Sequence, residues 1–147
     1  MPHLTQKIHP QLGPLVKLRI GVSNYRALAL KSRGQVVPPD IDITALIDTG
    51  ASNCCVDSTC IQQLGLTPTG SINIRTPSTG ANAHPTYLYD IKVVLPHMAI
   101  SKIYAALPVA GAPNLASQGI QMLLGRDVLA QCLLTYDGGA GICAIAF

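Results

Sequence analysis

The chain has 147 residues, 48% hydrophobic and 12% charged, with a net charge of +3. That length buries a core without disulfides or a metal and points to one domain. Neither a leader-like opening nor an apolar run of about 18 residues occurs, so export and membrane insertion are not expected.

The 13 Gly, 11 Pro, single Phe and absence of Glu and Trp disfavour long exposed helices and favour short strands joined by turns. So low a charge also suggests a surface partly covered by a second copy. Residues 1–39 carry Lys7, Lys17, Arg19, Arg26, Lys31 and Arg33 and no acid. These charges are spaced, without interleaved aromatics to stack bases, and read as a solvated basic edge; no nucleic-acid partner is expected.

In chain order, "MPHLTQKIHP" shows no periodicity and reads as a flexible N-terminal arm over residues 1–10, with a single domain over 11–147. "PLVKLRIGV" alternates as a strand, and Tyr25 to Lys31 reads as either a short helical turn or a wide loop. "IDITALID" alternates as a strand ending at Asp48-Thr49-Gly50, and "NCCVD" follows as a second short one. Asp57 or Ser58 is placed to cap a helix from Thr59 to about Leu64, closed by Gly65. "SINIRT" and "TYLYDIKVVLP" predict a long hairpin joined by "PSTGANAHP", and "SKIYAALPVA" another strand. "IQMLLGRDVLAQ" predicts a strand broken at Gly125 and a short helix to Gln131; "LLTYD" and "ICAIAF" close as a hairpin. The sum is an all-β fold of seven to nine strands with two short helices.

An aspartate at a strand end, followed by Thr and Gly, is an ordinary turn in many proteins. From average usage, such a triplet arises by chance in a chain of this length on the order of a few per cent of the time. Here, however, "ALIDTGAS" is followed about 75 residues later by "LLGRDVL". The pair, aliphatic-aliphatic-Asp-Thr-Gly-Ala and aliphatic-aliphatic-Gly-x-Asp-x-Leu, resembles the two halves of the active-site fold of retroviral-type aspartic proteases. The hairpin at 71–95 falls where such enzymes carry their flap.

The resemblance implies a retropepsin-like acid protease fold and an aspartic endopeptidase with Asp48 catalytic. With one D-T-G per chain, it implies a homodimer whose Asp48 pair activates a water, with no metal or cofactor. Two close carboxylates share one proton, so one serves as general base and the other as general acid. The resemblance assigns supporting roles to Thr49, Gly50, Leu123, Leu124 and Gly125, and substrate contact to Gly50, Ala51, Ser52 and Asn53. The flap tip would be Pro77, Ser78, Thr79 and Gly80. Asp137-Gly138, the other Asp-Gly pair, reads as a hairpin turn. The rival reading is a non-proteolytic dimerisation or peptide-binding module of the same fold.

Two positions depart from relatives of this type. Pepsin-like enzymes carry a hydroxyl at position 51, which favours the charged carboxylate; Ala51 has none, which implies activity from mildly acidic toward neutral pH. Retroviral enzymes commonly place an acid where Ser52 stands, to pair with the arginine at 126, leaving Asp127, Asp57 or a partner carbonyl as alternatives for Arg126. That departure favours a cellular or bacterial protein over a viral one. The five cysteines are odd in number and include no C-x-x-C pair. They read as packing residues in a reducing cytoplasm, with a redox-sensitive thiol beside the site as the sharper alternative.

Overall fold

A computed structural model describes residues 1–75 and 80–147. Among these, the strands are β1 (His3–Lys7), β2 (Leu15–Val22), β3 (Ile41–Ile47), β4 (Cys55–Asp57), β5 (Gly70–Ile74), β6 (His84–Leu95), β7 (Lys102–Ala112), β8 (Met122–Leu124), β9 (Leu133–Asp137) and β10 (Ile142–Ala146). The α-helices are α1 (Asn24–Ser32), α2 (Ser58–Gln63) and α3 (Arg126–Leu129), with a 3-10 turn at Ala116–Gln118. Seven strands form one sheet in the order β2-β3-β8-β4-β7-β6-β5. A further pairing of β2 with β6 closes six of them into a ring, with β5 hydrogen-bonded to β6 outside it. β1, β10 and β9 form a separate three-stranded antiparallel sheet.

Alternation sets which side chains fill the ring. Val16, Leu18 and Ile20 of β2 and Ile43, Ala45 and Ile47 of β3 are buried, while Lys17, Arg19 and Asp42 face out. The exposed set pairs across the strands: Arg19 bridges Asp42, and the Lys17 ammonium donates to Thr44 Oγ1 (2.7 Å). No helix among the described residues is long and apolar enough to cross a membrane.

The structure corrects the element reading in three places and decides between two alternatives in a fourth. Residues 3–7 are not an arm: β1 pairs with β10 from His3↔Ala146 to Lys7↔Ile142. The apolar last strand would otherwise expose one edge, and the first residues cover it. Among the described residues, ten strands and three α-helices replace the expected seven to nine and two. Of the two readings of Tyr25–Lys31 the helical one holds, although none of the residues of α1 is buried. That helix is held by its Ser23 cap and by Arg26, which donates to the Gly65 carbonyl (2.7 Å) and Thr67 Oγ1 (3.2 Å). The hairpin connection keeps nine residues but is shifted by two: β5 ends at Ile74 and β6 begins at His84, with Asn73↔Pro85 and Ile74↔His84 paired, leaving 75–83 between the strands.

Asp57 ends β4 and caps α2. It is 1% exposed, and its carboxylate accepts from the Thr59 amide (2.8 Å), Thr59 Oγ1 (2.6 Å) and the Ala116 amide (2.8 Å). Burial alone would raise its carboxyl. The bonds from the Thr59 hydroxyl and from the amides of Ala116, Thr59 and Leu115 outweigh burial and hold it below the ordinary carboxylate range.

Asp57→Ala is expected to cost about 2–4 kcal/mol in urea unfolding, combining a lost helix cap with a stranded Ala116 amide. The folded protein binds this proton more weakly than the unfolded chain. The contribution is therefore complete above about pH 4 and is lost as pH falls from there through the lower folded value. The gap between the parent and Asp57→Asn should narrow in that window.

Candidate active site

Asp48 follows directly from how three strands meet. β8 lies between β3 and β4, parallel to the first (Ile47↔Leu124) and antiparallel to the second (Cys55↔Leu123). The chain leaves β3 at Ile47, passes over the end of β8 as residues 48–54, and returns as β4. The Asp48 amide donates to the Leu124 carbonyl (3.0 Å), which anchors the start of this loop to the central strand. Asp48 is half-buried, and its Oδ1 accepts from the amides of Gly50 (2.9 Å) and Ala51 (3.2 Å). A Cβ on Gly50 would stand 3.1 Å from that same oxygen, so the missing side chain lets backbone and carboxylate approach.

Behind the loop, Gly125 meets main chain directly. A Cβ there would lie 2.6 Å from the Asn53 carbonyl carbon and 3.0 Å from the Cys54 nitrogen. Arg126 then laces the loop together. Its amide donates to the Ala51 carbonyl (2.9 Å) and its guanidinium to the carbonyls of Thr49 (2.8 Å) and Gly50 (3.3 Å) and to Ser52 Oγ (3.0 Å). Own-chain carbonyls and a hydroxyl thus take the place of the three partners offered for Arg126, namely Asp127, Asp57 or a partner carbonyl. Asp57 is occupied with α2 and Asp127 with Cys54.

Among the sequence-predicted residues, Asp48, Thr49, Gly50, Ala51, Ser52 and Asn53 lie together on this loop, with Leu123, Leu124 and Gly125 beneath it. Thr49, Gly50, Ser52 and Asn53 are exposed. Gly80 is exposed on the hairpin connection at φ 59°. Pro77, Ser78 and Thr79 lie outside the described residues. Asp137 sits in the closing hairpin, where its Oδ1 accepts from the Ala140 amide (2.8 Å).

All five cysteines are free thiols. Cys54 points into the core and Cys55 to the opposite face, half-buried. Burial raises the Cys55 thiol, and the charges of Asp127 and Asp48 raise it further, so it is no activated thiolate. The sequence offers Asp127 as a partner of Arg126, and its bonds to Cys54, with the polar role of that cysteine, escaped the sequence reading. The separation of 73 residues between the two leaves no local pattern to find.

Residues 34–128, more than half of the chain, match the protein family described as Aspartyl protease. Among solved structures, the chain is similar to a retropepsin-like aspartic protease from Rickettsia conorii. The TM-score is 0.60 at 16% identity, covering 99% of this chain and 90% of that one. The retroviral protease-like domain of Ddi1 from Leishmania major aligns with a TM-score of 0.38 at 12% identity, over 85% of this chain and 82% of that one. No curated protein matches the sequence. The chain belongs to the aspartyl protease family and carries its D-T-G on a retropepsin-like fold.

Proposed function

We propose that the chain is an aspartic endopeptidase that works as a homodimer, with Asp48 of each protomer forming one catalytic dyad. The observation that carries this reading is the setting of Asp48. Its carboxylate accepts hydrogen bonds only from two loop amides among the described residues, on a loop braced from below by Gly125 and Arg126. Asp137, at the other Asp-Gly pair, is tied into a hairpin turn, so the second carboxylate comes from a second copy.

In the reaction, the ionised Asp48 takes a proton from water while the water oxygen bonds to the scissile carbonyl carbon. The protonated Asp48 donates to the carbonyl oxygen, giving a neutral gem-diol. The protonated carboxyl then gives its proton to the amide nitrogen while the ionised one takes a proton from a gem-diol hydroxyl, so the C–N bond breaks, a carboxylic acid and an amine leave, and the dyad again holds one proton. Thr49 supports the dyad by hydrogen bonding across the two-fold axis. Gly50, Ala51, Ser52 and Asn53 line the floor for an extended peptide, and the hairpin of β5 and β6 is the flap over it.

A mixed peptide library incubated across pH, with and without a transition-state-mimicking aspartic protease inhibitor, tests this. Inhibitor-sensitive cleavage is expected from mildly acidic toward neutral pH, since Ala51 adds no hydroxyl to favour the charged carboxylate. Cleavage insensitive to the inhibitor, or no cleavage at any pH, would overturn the reading. A maximum below about pH 3 would overturn the argument from Ala51.

A further inference from the structure

Behind the Asp48 loop lies a buried polar arrangement that the proposed chemistry does not use. Cys54 is fully buried, yet its amide donates to Asp127 Oδ2 (3.0 Å) and its thiol to Asp127 Oδ1 (3.0 Å). The same sulfur accepts from the Gly125 amide (3.2 Å), and Asp127 Oδ1 also accepts from the Val128 amide (2.9 Å). One carboxylate thereby ties the end of the 48–54 loop to the first turn of α3. A cysteine serving only as a small hydrophobe would have no carboxylate against its sulfur.

We infer that Asp127 is a positioning residue for Asp48, acting through the amide and thiol of Cys54. The loop is pinned at its start by Leu124, in its middle by Arg126, and at its end by this clasp. Releasing the end frees the segment that presents the Gly50 and Ala51 amides to Asp48 Oδ1. Burial, then the bond to Asp127, raises the Cys54 thiol against the opposing Gly125 amide. It therefore stays protonated, and stays a donor, wherever a carboxylate dyad operates.

The inference rests on Asp48 being the reacting carboxylate, so its test carries one readout that does not depend on chemistry. Cys54→Ser keeps a side-chain donor toward Asp127, and Cys54→Ala removes that donor while leaving the amide. For each, turnover per active site is titrated with a tight-binding inhibitor, and amide hydrogen exchange is followed at Gly50 and Ala51. Cys54→Ala should lose about tenfold or more in kcat per titrated site with KM within about threefold, and its two amides should exchange about tenfold faster or more. Cys54→Ser should stay within about threefold of the parent in both.

Parent-like kcat per titrated site in Cys54→Ala overturns the inference, because a purely structural role lowers the number of sites and not their rate. Equal impairment of Cys54→Ser and Cys54→Ala also overturns it. If Cys54→Ala does not fold, Asp127→Asn is read against the Cys54→Ala thresholds. A parent without any turnover refutes the peptidase reading alone, while the exchange rates still decide whether the clasp orders the loop.

Discussion

An Asp48→Asn protein is expected to fold and dimerise like the parent and to lose at least about a thousandfold in peptidase activity, because both the general base and the general acid disappear together. The substitution keeps the side chain's size, and its oxygen can still accept from the Gly50 amide. Circular dichroism and sedimentation should therefore be unchanged. Mixing gives a sharper result. If each site takes one carboxylate from each copy, parent equilibrated with nine equivalents of Asp48→Asn will find mostly inactive partners. Its activity should fall to about a tenth of that of the same amount of parent alone. Undiminished activity in the mixture would show that one chain suffices, and would sink the two-chain site.

The second large effect is expected at Gly125. In Gly125→Ala the new methyl meets the main chain of Asn53 and Cys54 at distances no carbon tolerates, and no flexible side chain is available to move aside. Its φ of −86° is open to any residue, so the demand for glycine here is one of space and not of backbone conformation. The loop and β8 must separate, at a cost of about 3 kcal/mol or more and a thermal midpoint lower by roughly 10 °C. Activity should fall further than the loss of folded protein explains, since the displaced segment carries the amides that hold Asp48. Gly138→Ala in the closing hairpin serves as a control: its added carbon would meet only the Tyr136 ring at 3.6 Å. A thermal midpoint for Gly125→Ala as close to the parent's as that of Gly138→Ala would remove the brace from the account.

Much of the site is legible in the sequence because it sits where local patterns end. The alternation of "IDITALI" fixes which face of β3 is buried and delivers Asp48 at the strand's last step. "LLG" marks a strand that must stop where another chain segment passes close. Other features have no local signature. β1 is specified by a partner at the other end of the chain, from His3↔Ala146 to Lys7↔Ile142, so "HLTQK" shows no pattern of its own. α1 buries none of its residues, and its evidence lies in a cap and in Arg26 reaching Gly65 and Thr67. Arg126 was legible as a loop-lacing residue only in part. The partners weighed for it, Asp127, Asp57 or a partner carbonyl, left out the carbonyls and hydroxyl of its own loop, which satisfy a guanidinium equally well.

The position of β8 between β3 and β4 also orders events in time. Asp48 is made early in synthesis, but the strand that spaces its two flanking strands, and the Gly125–Asp127 segment under its loop, arrive more than 70 residues later. Such long-range pairings form late, after local elements. A chain still on the ribosome therefore carries Asp48 before the strand and the segment that hold its loop in place have been made.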